Sequence, residues 1–400
     1  MGTRLGIPVL VVLLAGVAHG RAAQMLMVER PDLVPPMAVP MEMPPTGDMP
    51  ADRLLYAQAE SGGETIALQN CPSLFFSPNG AEMARTYCTV LPAELTSGRL
   101  RVSVGRIGGG RFSIAERGDR MQVSEGRDAV FVYRHQMQLA SDVPEKYRRS
   151  TYIHPLFDLH GVAITDDFPK DHYHHRGLSW MWPYVRIGER VYDLWAIEGI
   201  RQVFEGWLVR ETGPVCATLG IKNGWHTDER KVMEEWVWIR TFPVTGCGRA
   251  IDFLLTWKAL EPVELRGRAD HDKGYGGFCL RYGPRETTVI TTPDGVEQGD
   301  SDRKPFAWAD ESAKFRGASV FSGAAVFQHA TNPNFPAGWC LRHYGFVGVS
   351  WPALESFTLQ PGRPLSLRFR VWVHDGDAKQ GRVAEAYRLF AEPPALSFAK

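Results

Sequence analysis

What this sequence lacks narrows what it can do. Neither sign of charge predominates, with Lys+Arg and Asp+Glu at 45 each over 400 residues. That balance removes the electrostatic case for a nucleic-acid or anionic-membrane partner. Beyond the N-terminal stretch no apolar run is long enough to cross a bilayer as a helix. The six cysteines contain no C-x-x-C pair and so no zinc-ribbon pattern. There is no G-x-S-x-G and no G-x-x-x-x-G-K-[ST], and Gly108-Gly109-Gly110 is not part of a G-x-G-x-x-G that opens a helix. Serine-hydrolase elbows, P-loops and dinucleotide fingerprints are therefore unsupported. Helical periodicity is scarce as well, apart from Val383, Tyr387 and Phe390 near the C-terminus.

What is present reads as β structure. Gly 40, Pro 28 and Trp 12 in a chain that is 44% hydrophobic fit a turn-rich protein with aromatic surfaces. Alternating runs such as KVMEEWVWIRTF, GRAIDFLLTWKAL and LSLRFRVWVHDG predict long strands separated by Gly and Pro punctuation. The expected architecture is a large antiparallel two-sheet β-sandwich over 109–400, a galactose-mutarotase-like supersandwich, with a short C-terminal helix capping a sheet edge. A small β module is expected over 53–108.

Arg4, the apolar run Ile7–Ala18 and Ala18-His19-Gly20 read as a signal peptide over 1–20, the alternative being a single membrane anchor. Residues 21–52, rich in Pro and Met, read as an extended, poorly ordered linker. Export, to the periplasm or the medium, permits disulfides. Cys71 and Cys88 are close enough in sequence to staple the small module, whereas Cys216, Cys247, Cys279 and Cys340 are equally readable as thiols or bridges.

The densest chemistry lies in Tyr152–Trp182, which holds His154, His160, His172, His174 and His175 beside Asp158, Asp166, Asp167, Asp171 and Arg176. Imidazole titrates near neutrality, so histidines flanked by carboxylates point to proton transfer, metal ligation or anion recognition. Each histidine alone is more simply a hydrogen-bonded core residue; the run Asp171–Arg176 taken together is not. If that run is extended, His172, His174 and Arg176 share a face with Trp180 and Trp182, a polar patch bordered by flat rings of the kind that binds sugars.

The blocks YIHPL, DFPKDHYHHRGLSW, KGYGGFCLRY and FQHATNPNFPAGWCLRHYGF resemble the motif set of a bacterial family labelled methane oxygenase PmoA-like, a domain of unknown function, over roughly 111–376. In that family KGYGG followed by x-x-R recurs, here Lys273 to Gly277 and Arg281. A methane monooxygenase subunit of that name would need membrane spans, so the resemblance is carried to motifs and fold and not to methane oxidation.

Together these readings give His154, His172, His174, His175, Arg176 and Glu234 as candidate acid–base residues, with Glu198 and Asp270 as further carboxylates. Trp180, Trp182, His226, Tyr275, Arg281, His329, Asn334, Trp339 and Arg342 are candidate substrate contacts. The leading expectation is an exported carbohydrate-active protein, of hydrolase, lyase or epimerase type, acting on a sugar or oligosaccharide with no required cofactor. One alternative is a Cu, Zn or Fe enzyme in which His172 and His174 ligate the metal with a third residue such as His154 or His226, including the oxygenase role that the resemblance implies. Another is a carbohydrate-binding protein without turnover.

Overall fold

The computed structural model describes residues 25–29, 37–43, 54–59, 65–76, 82–95, 97–105, 110–228 and 230–398. The expected signal peptide lies outside the described residues. Three large antiparallel sheets are stacked. The site sheet has nine strands in the order Ser301–Pro305, Gly338–Arg342, Phe346–Ser350, Gly277–Arg281, Leu178–Met181, Tyr152–Leu156, Asp128–Arg134, Arg120–Glu125, Phe112–Arg117. The central sheet also has nine, running Ile200–Thr212, Ala217–Thr227, Lys231–Thr241, Gly248–Ala259, Leu365–Asp375, Ser322–Gln328, Trp308–Phe315, Arg285–Thr292, Gly295–Val296. These two form the expected sandwich. Their facing side chains build one core, including Tyr133, Ile153, Trp180 and Phe278 from the first and Ile221, Val237, Phe253 and Phe369 from the second.

The third layer was not legible as such. A seven-stranded terminal sheet runs Val39–Glu42, Arg85–Leu91, Thr65–Pro72, Leu54–Ala59, Ser97–Gly105, Met25–Glu29, Ala395–Phe398. It packs on the other face of the central sheet, where Leu26, Val39, Leu55 and Leu68 meet Phe242, Ala250, Phe327 and Trp372 in a second core. Central strands are therefore covered twice. In Gly248–Ala259, Ile251, Phe253 and Leu255 point to the first core while Ala250 points to the second. A strand buried on both faces has no solvent side, which explains why Ile251–Thr256 has no exposed residue and why Asp252 within it is paired with Arg370.

The stretch expected to be a linker differs accordingly: Met25–Glu29 and Val39–Glu42 are strands, and Met37, Met41 and Met43 are buried in the second core. Their thioethers fill space between sheets. The layers are also joined by polar contacts. Glu42 pairs with Arg240 at 2.7 Å with both side chains almost fully buried, and Arg370 pairs with Asp252 at 2.5 Å. Gln69 accepts hydrogen bonds from the Val215 and Cys216 amides at 2.9 Å each. The Cys71–Cys88 disulfide is present, and the other four cysteines are thiols. The helix Val383–Ala391 buries Val383, Ala386, Leu389 and Phe390 in the second core and is thus part of the interior. No helix among the described residues is long and apolar enough to cross a membrane.

Candidate functional site

Cross-strand partners share a face of a sheet. Arg281 is paired with Phe346, and Phe346 with Arg342, so these three form a row on the site sheet. Leu280 and Val347, the next pair along, enter the sandwich core. The row therefore lies on the face turned away from the central sheet, and loops converge over it.

The loop 157–177 brings the histidines there. Residues 171–176 are turns and not a strand: the His172 amide donates to Pro169 O and the His175 amide to His172 O, both at 2.9 Å. This overturns the expected alternation of faces. His172, His174 and His175 instead form one cluster. The His172 and His175 rings stack at 4.6 Å, and His174 stands edge-on to them at 5.6 and 4.7 Å. Tyr344 stacks on His172 at 5.4 Å, Trp195 meets His175 at 5.6 Å, and Tyr275 meets Trp195 at 4.9 Å.

Burial, with the neighbouring cationic and imidazole groups adding to it, pushes His174 down to about 3 and His175 well below its ordinary value. Both are neutral walls at physiological pH. His172 stands at the rim. Its Nδ1 lies 3.0 Å from Asp171 Oδ2, and Arg281 Nη2 donates to both Asp171 oxygens at 2.9 Å. The carboxylate fixes the tautomer with the proton on Nδ1, leaving the Nε2 lone pair for a substrate. Arg281 and Tyr344, which touch Asp171 and His172 respectively, also line a cleft of about 560 Å³ together with Asp166, Arg285, Arg316 and His343. The Tyr344 hydroxyl is pushed up to about 12 by burial and stays protonated.

Other candidates lie elsewhere. Trp180, Trp182 and Trp339 are fully buried in the sandwich core; as apolar rings on inward-facing positions they cannot contact a ligand on the outer face. Arg176 is also fully buried. Its Nη1 donates to Tyr173 O and to His175 O, and its Nη2 to Tyr147 O. It holds the shape of the loop and does not reach a ligand. His154 bonds Thr165 Oγ1 at 3.1 Å and is pushed down to about 3 by burial, outside the ring cluster.

His329 stacks on Phe75 at 5.4 Å beside the C-terminal helix. His226 and Glu234 join Glu205, Lys222 and Lys231 in an ion cluster on the central sheet. Asn334 is exposed on a turn with φ +61°. Arg342 shares the face of Arg281, but its Nη1 is spent on the carbonyls of Ser301 and Leu341.

Glu198 and Asp270 line a second, smaller cleft of about 310 Å³ with Asp193, whose carboxyl burial pushes up to about 6. Asp193 is engaged in its own loop, accepting from the Ala196 amide at 2.7 Å. The proposed third metal ligands, His154 and His226, are thus remote from the His172 and His174 cluster. Among the described residues, three ligand atoms within 4.8 Å of one another occur at Cys71, Cys88 and Cys216, two of which form the disulfide.

Sequence reasoning missed Trp195, Tyr344 and the role of Asp171. Trp195 lies in a turn of the run DLWAIEGI, from which Glu198 alone was singled out, and Tyr344 occupies a hairpin tip that only the strand register brings beside the histidines.

A protein-family model described as "Family of unknown function (DUF6807)" matches residues 120–388. The expected assignment to the methane oxygenase PmoA-like family is overturned by this match. No curated protein matches the sequence. Similar solved structures include a glycosyl hydrolase family 38 protein from Enterococcus faecalis, with 9% identity and TM-score 0.43 over 94% of this chain and 47% of that one. Another is an alpha-mannosidase from the same organism, with 8% identity and TM-score 0.41 over 94% and 46%. A GH36 alpha-galactosidase from Geobacillus stearothermophilus shows 11% identity and TM-score 0.35 over 66% and 40%. The chain spans less than half the length of each.

Proposed function

The chain belongs to the DUF6807 family of unknown function, and we propose that it is an exported enzyme performing acid–base chemistry on a sugar, of the proton-abstracting lyase or epimerase type. The observation that carries this reading is the chain Arg281–Asp171–His172, which Arg281 connects to the cleft. Arg281 holds Asp171, Asp171 orients His172, and His172 presents Nε2 as a base. His174 and His175, held neutral, supply a desolvated wall that does not compete for the proton. Tyr344 supplies a phenol that remains a donor over the working pH range.

A glycosidase would place an acid and a base carboxyl across the scissile bond; here the group poised for proton transfer is an imidazole, which favours abstraction of a C–H or O–H proton. Export is supported by the leader pattern at the N-terminus and by the Cys71–Cys88 disulfide, a bond that persists outside the reducing cytosol.

The test is a panel of polysaccharides and oligosaccharides assayed for new reducing ends, for unsaturated products and for epimerised residues. His172→Ala and Asp171→Asn should each lower turnover by about 10²-fold or more while both proteins keep wild-type far-ultraviolet circular dichroism. Turnover that survives both substitutions would remove His172 from the chemistry. Saccharide binding without any product would return the protein to a binding role.

A further inference from the structure

Resting on that reading, we propose that the cleft takes a sugar carrying a carboxylate, a uronic acid, and that Arg281 and Arg316 form the subsite for its charge. Arg281 is 6% exposed. Its Nη2 is committed to Asp171, but Nε and Nη1 are buried with no hydrogen-bond partner among the described residues. Leaving guanidinium donors unmatched away from water is costly, and a carboxylate oxygen is the acceptor that would match one of them most strongly.

Tyr344 lies over this guanidinium with Cζ 4.8 Å from the ring centroid, and is itself 41% exposed. It lines the same cleft, at the tip of the hairpin that joins Gly338–Arg342 to Phe346–Ser350. Arg316, exposed on the rim of the same cleft, makes no side-chain ion pair or hydrogen bond among the described residues.

The remaining charges of the cleft do not cancel this pair. Glu286 is exposed and lies 3.9 Å from Lys314. Arg285 is bound to the carbonyls of Gly283 and His343 and faces Glu311 at 2.9 Å, whose carboxyl burial pushes up to about 8. Two acids act on Arg281: Asp171, bound to its Nη2 and offsetting part of its charge, and Asp166, which lines the cleft and whose carboxyl burial pushes up.

The chemistry is consistent with the base at the rim. Neutralising a uronate carboxylate makes the neighbouring C5 proton acidic enough for an imidazole to remove. His172 Nε2 takes that proton, the C–H electron pair becomes the C4=C5 double bond, and the C4–O bond breaks. The departing oxygen takes a proton from the Tyr344 hydroxyl or from water, His172 releases the proton it took to solvent, and Tyr344, where it was the donor, regains one from solvent. No oxidant or other co-reactant enters the balance.

The experiment compares uronate oligosaccharides with their carboxyl-reduced counterparts of the same linkage, measuring affinity by calorimetry at two salt concentrations and turnover by ultraviolet absorbance of the unsaturated product. The acidic form should bind more tightly by about tenfold, with a preference that salt weakens and that Arg316→Ala diminishes. Equal affinity for acidic and reduced forms would overturn the subsite while leaving the His172 reading intact, as would a preference that Arg316→Ala does not change. If no saccharide binds in either form, both the subsite and the reading beneath it fall.

Discussion

At the scale of single residues, the three clustered histidines have different duties. His175 is 3% exposed and packed among His172, Trp195 and Phe346, so His175→Ala opens a cavity and should cost about 2–3 kcal/mol of stability. His172→Ala at the rim should cost less than about 1 kcal/mol; urea denaturation of the two variants separates them.

Acid titration gives a second expectation. Unfolded, His174 takes a proton near its ordinary value of about 6.5; folded, it does so only at about 3. Between these values the unfolded chain carries the extra proton, so this residue withdraws stability as pH falls. Asp167 and Asp193, pushed up to about 6 by burial, act in the opposite sense, being stabilising when protonated and losing that contribution as pH rises through about 6. The difference between His174→Gln and wild type isolates the histidine. It should shift in favour of the variant as pH is lowered from about 6.5 toward 4, and a constant difference would count against a neutral, desolvated His174. Residue types at the site were legible because histidine, aspartate and arginine are dense in one stretch. Their directions were not, because alternation holds only in an extended chain, and this one turns at Pro169 and His172.

At the scale of the element, the loop 157–177 depends on close packing at its exit. A Cβ on Gly177 would come 2.1 Å from Ile153 O, so Gly177→Ala forces the loop off the neighbouring strand. It should lower stability by about 2 kcal/mol or more, visible as a drop in thermal midpoint. Arg176, buried beneath the loop, anchors it through three carbonyls and lies 3.4 Å from Asp167. Arg176→Met should cost about 3–5 kcal/mol because the Asp167 carboxylate is left without its counter-charge. The strands were readable in sequence wherever period-two patterning met turn residues. The doubly covered strands Lys231–Thr241, Gly248–Ala259 and Leu365–Asp375 read as alternating, but with cores on both sides their polar residues, among them Arg240, Asp252 and Arg370, are buried and paired and mark no solvent face.

At the scale of the whole molecule, the terminal sheet is bound by the second core and by Glu42–Arg240, and not hung on a hinge. One calorimetric transition is therefore expected for all three layers. Glu42→Ala leaves Arg240 buried without its partner and should cost about 3–5 kcal/mol, lowering that single transition rather than splitting it. Two resolved transitions would show that the layers melt independently. The sequence-level division at residue 108 followed a change in composition, but burial ignores that division, because residues before 105 and after 380 share one core.

The closing pair of that sheet also bears on how the molecule answers to force. Met25–Glu29 runs antiparallel to Ala395–Phe398 with Leu26 opposite Phe398, so both ends of the described chain leave the ribbon at the same corner. Tension applied through the two termini loads the inter-strand bonds in sequence and not together. The last strand, held on one side only, should peel at low force in single-molecule pulling, while the enclosed sandwich resists until much higher loads.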